Sequence, residues 1–184
     1  FNLRAVRGGI EVRHAQRGET LTLLDGTVIR LVPETLVIAD HGAPIGLAGI
    51  MGGESSGVAE TTQSIFLESA YFRPGIVGSR AREYGLHTDA SYRFERGVDP
   101  GQQRRAVLRA SALLTEICSG LPGPICEVSA PGCLPKKKAI LLRRQRLDLT
   151  LGVRIPIEKV QQILTNLELK PVKQSAGGKG KPPL

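Results

Sequence analysis

Apolar and polar side chains alternate through much of the first forty residues. The run 9–14 alternates, and runs 20–24 and 27–31 flank Asp25-Gly26, the strongest short-range hairpin signal a sequence carries. A short apolar run, Leu36–Ala39, stops at the turn-forming Asp40-His41-Gly42. These segments predict a β meander over 9–39. Four glycines within the eight residues 46–53 mark backbone that bends sharply or approaches another group closely. Residues 64–70, apolar in the middle, form a further strand candidate.

The period then lengthens. Pro74 opens a helix that runs through Glu83, with Gly85 as its stop. Residues 89–94 fit a strand or a loop equally. Asp99-Pro100 supplies a cap and a first turn for a helix over 102–118, in which Val107, Leu108, Ala110, Leu113, Leu114 and Ile117 keep the 3.6 period and which Gly120 ends. A short strand follows Pro122-Gly123-Pro124, and Pro131-Gly132 with Pro135 reads as a linker. Ile155-Pro156-Ile157-Glu158 then opens a second amphipathic helix carrying Val160, Ile163, Leu164 and Leu167. Residues 174–184, rich in Gly, Lys and Pro, read as a disordered tail. The expected fold is α/β of the α+β kind, a mixed and mainly antiparallel sheet with flanking helices over 1–133. A partial small α/β domain over 134–173 follows it.

Composition narrows the picture. Hydrophobic residues make up 41% of the 184, enough for a core, while aromatics are 4% and Trp is absent. No run approaches the roughly 18 apolar residues of a membrane helix, and the opening Phe1-Asn2-Leu3-Arg4 has no Met and no leader pattern. The chain therefore reads as cut from something longer and cytoplasmic. Cys118, Cys126 and Cys133 stand eight and seven residues apart, a spacing that suits neither zinc nor a disulfide framework. Net charge is +8, but residues 1–135 hold 13 basic against 14 acidic side chains and residues 136–184 hold 12 against 3. The basic excess lies wholly in the last quarter, where Lys136, Lys137, Lys138, Arg143, Arg144 and Arg146 suit either RNA phosphates or a solvated hairpin face.

Familiar enzyme signatures are missing: there is no GxxxxGK[ST], HExxH or GxGxxG. Gly53-Glu54-Ser55-Ser56-Gly57 spells GxSxG, yet a bend precedes it and a polar stretch follows, so it reads as a loop rather than a nucleophile elbow. His87, Asp89 and Ser91 lie within five residues of one loop, whereas catalytic triads converge in space from separate segments. Two polar points remain. Glu68 follows Ile65-Phe66-Leu67 where an apolar residue is expected, and His87-Thr88-Asp89 is a polar knot that a local turn explains.

Taken together, four blocks resemble one family. Leu36-Val37-Ile38-Ala39-Asp40, Gly49-Ile50-Met51-Gly52-Gly53-Glu54, Phe66-Leu67-Glu68-Ser69-Ala70 and the sixteen-residue run from Gly85 to Pro100 resemble the editing module of bacterial phenylalanyl-tRNA synthetase beta subunits. Residues 140–173 look like the start of the domain that follows it. The resemblance implies hydrolysis of tyrosine esterified wrongly to phenylalanine tRNA, a second sieve that a hydroxyl-accepting carboxyl can supply. Carried over residue by residue, Glu68 meets the tyrosine hydroxyl, Gly52, Thr88 and Ala90 line the pocket, and His87 and Asp89 support the loop. The catalytic residue stays unassigned, and no metal is implied in this chain. For the whole synthetase the resemblance implies ATP, Mg2+, and an alpha subunit in a heterotetramer. A non-catalytic RNA-binding or scaffold module of the same synthetase is the alternative.

Overall fold

The computed structural model describes residues 1–136 and 138–172. Lys137 and the tail expected to be disordered lie outside the described residues. Contacts divide the chain into two compact units, Phe1–Pro135 and a second beginning at Lys136.

The first unit is built on an antiparallel sheet in the order β1-β4-β5-β6, with β1 at Glu11–His14, β4 at Leu36–Ala39, β5 at Pro44–Leu47 and β6 at Met51–Gly52. Strands β2 (Thr20–Thr22) and β3 (Val28–Arg30) form a separate hairpin through Gly26, whose φ of +82° is the glycine conformation that Asp-Gly signals. The expected meander is therefore wrong in one respect: β1 pairs with β4, not with β2. The reason is local. Glu19 accepts both guanidinium nitrogens of Arg13, at 3.0 and 2.7 Å, and the Gln16 amide at 2.6 Å, which turns the chain out of the sheet after β1. The hairpin then contributes Leu21, Leu23 and Leu31 to the core.

Successive residues Val37, Ile38 and Ala39 are all buried, so β4 is covered on both faces and shows no alternation. Asp40 ends it. Burial by itself would raise its carboxyl's pKa, but the amides of Ala43, Arg7 and Gly42 donate to it at 2.9, 3.0 and 2.7 Å and hold it below the usual range.

Helix α1 is Pro74–Glu83, as the sequence predicts. Gly85, at φ +65°, closes it: its amide donates to Arg82 O at 3.1 Å and that of Leu86 to Ala81 O at 2.8 Å. Val77, Ala81 and Leu86 thereby enter the core. Tyr84 reaches back to the sheet, its hydroxyl accepting from the Val32 amide at 3.0 Å and lying 2.6 Å from the Thr35 hydroxyl. Tyr84→Phe leaves both without their partner and is expected to cost about 1–2 kcal/mol, read from the urea midpoint.

Four other expectations change. Residues 89–94, ambiguous by pattern, belong to helix α2, Asp89–Arg96. Residues 64–70 form no strand: a single antiparallel bridge joins Ile65 to Asn2, and a 3-10 turn at Leu3–Ala5 follows on the partner side. Helix α3 is Gln103–Cys118, capped at Gln102 rather than Asp99 because the Asp99 carboxylate accepts the Gly101 amide at 2.9 Å and makes a turn of its own. Ser119, at φ +53°, ends it, one residue before Gly120. The strand expected after Pro124 is absent, its residues being irregular and exposed. All three cysteines are exposed.

In the second unit the described residues form helices α4, Arg144–Leu151, and α5, Ile157–Asn166, with Gly152 at φ +67° after the first. Val160 is buried on α5, as the amphipathic pattern predicts. The strands expected of a small α/β domain are not among the described residues.

Candidate functional site

The segment carrying Glu68 is fixed from both sides. Upstream, Phe66 and Phe1 exchange backbone hydrogen bonds of 3.0 and 2.9 Å, and the Leu3 amide donates to Ser64 O at 2.9 Å. Downstream, the Ser69 hydroxyl donates to Gln103 O at 3.0 Å, and Gln103 Nε2 donates to Ala70 O at 3.3 Å and Asp99 O at 3.0 Å. The first turn of α3 thus pins the residues that follow Glu68. Nothing in the sequence pointed to Gln103, because a polar residue in a helix's first turn is ordinary.

Glu68 itself has no hydrogen bond among the described residues. Its residue surface is exposed, yet burial of the carboxyl pushes its pKa up to about 7. The side chain thus reaches solvent while neighbouring protein atoms still displace part of the carboxyl's water. Above the usual 4.5, the raised value means that the protonated form fits the fold better. Its contribution to stability is complete below about pH 4.5, falls as pH rises to about 7, and is gone beyond it. The unfolding midpoint of Glu68→Gln, relative to wild type, should therefore rise across that window and level off above it.

Thr88 holds a different junction. It is the N-cap of α2, in a reciprocal capping box: its hydroxyl accepts the Ser91 amide at 3.0 Å and the Ser91 hydroxyl accepts the Thr88 amide at 3.0 Å. The same threonine hydroxyl donates to Ile50 O at 2.7 Å. Ile50 lies in the turn between β5 and β6, so Thr88 ties that turn to the start of α2. The polar knot is a helix cap rather than a simple turn. Ser91 is buried and spent in this cap, which leaves no nucleophile beside the exposed His87 and Asp89.

Gly52 lies in β6, opposite Gly46. A Cβ on Gly52 would stand 3.3 Å from Leu24, and one on Gly46 would stand 3.6 Å from the Phe1 ring. Phe1 thus packs at the glycine-paired end of the sheet and bonds Phe66, two residues before Glu68. Ala90 is half-buried in the first turn of α2. The structure joins Thr88 directly to the turn that leads into Gly52, and Glu68 lies on the separate segment that Phe1 pairs with.

Other features separate from this group. Ser55 sits in a 3-10 turn, Glu54–Ser56, in keeping with a loop. A cleft of about 330 Å³ opens between α1 and α2, lined by Pro74, Gly75, Gly78, Arg82, Glu95 and Arg96, and none of the site residues expected from sequence faces it. In the second unit Lys136, Lys138, Arg143 and Arg146 are exposed, whereas Arg144 pairs with Asp148 at 3.1 Å; Lys137 lies outside the described residues. Residues 138–143 form no hairpin face, and Arg144 opens a helix instead.

The protein is thus an α+β module with an antiparallel sheet and flanking helices, in which the Glu68 carboxyl has no hydrogen-bond partner among the described residues. Residues 1–119 match the B3/4 domain, and the chain belongs to that family. It is 53% identical over 170 residues to the phenylalanine–tRNA ligase beta subunit of Nitrosococcus oceani, covering 92% of this chain and 21% of that protein. The beta subunit from Yersinia pestis is 52% identical over the same shares, and that from Dickeya dadantii is 51% identical over 97% of this chain and 22% of its own length. The chain spans about a fifth of the length of the curated relatives it matches.

Proposed function

We propose that this chain is the editing segment of a phenylalanine–tRNA ligase beta subunit, which hydrolyses the ester of tyrosine wrongly joined to phenylalanine tRNA. The observation that carries the reading is Glu68, a carboxyl that follows the apolar Ile65-Phe66-Leu67 and has no hydrogen-bond partner among the described residues. Such a group is left unsatisfied by a phenylalanine ring and is satisfied by a phenol hydroxyl. In this reading Gly52 and Ala90 line the pocket, and Thr88 fixes the turn that leads into Gly52. His87 and Asp89, both exposed, support the start of α2.

In the hydrolysis, a water oxygen adds to the ester carbonyl carbon, the bond to the ribose oxygen breaks, and that oxygen leaves as a hydroxyl. With Ser91 held in a cap, the water is oriented by backbone groups of the glycine-rich turn and by the neighbouring ribose hydroxyl. In the same reading, ATP and Mg2+ serve aminoacylation in a partner alpha subunit. Among the described residues no group of three His, Cys, Asp or Glu could hold a metal ion. No described helix is long and apolar enough to cross a membrane, which fits work in the cytoplasm.

The test is deacylation of tyrosine-charged phenylalanine tRNA by the complete beta subunit with its partner, in wild-type and Glu68→Ala forms. Fast hydrolysis by the wild type and slow hydrolysis by the variant is the expected result. Equal rates would remove Glu68 from the reading, and no hydrolysis by the wild type would reduce the segment to an RNA-binding scaffold.

A further inference from the structure

The basic residues of the first unit are unevenly placed. All 13 are arginines, and eight of them lie within residues 73–109 against four acids, although the unit as a whole has one more acidic than basic side chain. This stretch contains α1, α2 and the start of α3, and the cleft between α1 and α2 lies within it.

The geometry of that cleft is specific. Gly78 lets the helices close on each other, since a Cβ there would stand 3.2 Å from Glu95 Cβ and 3.3 Å from Arg82 Nη1. Gly75 leaves open space, with nothing within 4 Å of where its Cβ would be. Glu95 holds two guanidinium groups, Arg96 at 2.6 Å and Arg82 at 3.8 Å, so two positive charges share one negative charge at the rim. Arg96 is further fixed by donating to Tyr92 O at 2.9 Å and by stacking 3.4 Å above the Tyr92 ring. The side chains of Arg82 and Arg96 nevertheless remain 68% and 54% exposed, so donors of both still face solvent.

We propose that this cleft, with Arg82 and Arg96 at its rim, receives a phosphodiester of the RNA whose charged end is processed at Glu68. The inference rests on the function proposed above, which supplies the RNA. A planar guanidinium presents paired donors that match two phosphate oxygens, and one already held by a carboxylate and an aromatic ring loses little freedom when it binds. The floor of glycines lets a sugar-phosphate chain come close where side chains would keep it out. Tyr92, exposed beneath Arg96, widens the flat surface beside the phosphate.

The experiment measures binding of uncharged phenylalanine tRNA to the complete beta subunit in its assembly, across a series of salt concentrations. Arg82→Gln/Arg96→Gln should bind about 10-fold more weakly and show a log–log salt slope shallower by about 1–2. Lysine at both positions keeps the slope while recovering only part of the affinity. Arg17→Gln, which removes an exposed arginine that does not line the cleft, should leave both unchanged. Unaltered affinity and slope in the double glutamine form, or an equal loss in the Arg17 form, would overturn the proposal. A slope lost in the lysine form as well would trace the effect to the fold of the cleft and also overturn it. Uncharged tRNA needs no hydrolysis, so failure of the editing reading shows separately, as intact tyrosine esters in the wild-type assay.

Discussion

Removing the Glu68 carboxyl is expected to lower the preference for tyrosyl over phenylalanyl esters on the order of 100-fold. A hydrogen bond from a phenol to a charged group is worth about 1.5–3 kcal/mol, and each 1.4 kcal/mol is about a factor of ten. Glu68→Ala gives up all of it and also removes the penalty that a phenylalanine ring incurs by leaving the carboxyl unpaired. The preference therefore falls from both sides, as tyrosine esters are hydrolysed more slowly and phenylalanine esters are tolerated better. Glu68→Gln keeps an acceptor oxygen but no charge, and neutral hydrogen bonds contribute about 0.5–1.5 kcal/mol. Its preference should lie between the other two. The pH dependence adds an independent check. With the carboxyl's pKa at about 7, wild-type preference for tyrosine should climb as pH passes through that value and the stronger acceptor forms. The glutamine form should stay flat. Values of kcat/KM for both esters over this range decide the matter, and a level wild-type profile would sink the role given to Glu68.

Thr88→Val is expected to destabilise the fold by about 2–4 kcal/mol while barely changing side-chain volume. The loss of an N-cap hydroxyl costs about 1 kcal/mol. Ile50 O loses its 2.7 Å donor as well, and an unsatisfied part-buried carbonyl costs about 1–3 kcal/mol. Thr88→Ser keeps the hydroxyl and should stay within about 1 kcal/mol of wild type. Urea unfolding of the three forms separates a lost hydrogen bond from lost packing: if serine were as damaging as valine, the methyl group rather than the hydroxyl would be the anchor. The valine form should also lower hydrolysis, because the turn leading into Gly52 is released from α2.

Local signals in the sequence gave reliable structure where the chain makes its own bonds. Asp25-Gly26 made its hairpin, Pro74 and Gly85 bounded α1, and the apolar stripe of residues 157–167 made α5. The failures concern side-chain bonds and pairings that no hydrophobic period records. Which strand lies beside β1 depends on the Arg13–Glu19 pair that sends the chain out of the sheet, and no period records it. The 64–70 segment has strand-like residues, yet a strand needs an edge to pair with, and beyond the bridge to Asn2 the partner turns away at Leu3–Ala5. Asp99 was read as a cap on composition, and its own turn claimed the side chain first. The site was legible to the same extent. Glu68 stood out as a carboxyl where an apolar residue belonged, and the structure leaves it crowded and unpaired. The clamp from Gln103 and the link through Phe1 could not be read, since both join positions more than thirty residues apart.

The antiparallel pairing of Asn2 with Ile65 also bears on how the protein is handled. With Phe1 facing Phe66, the register carries any residue placed two positions ahead of Phe1 to a point across from Glu68. A short probe carried at that position becomes a ruler for whatever approaches the carboxyl.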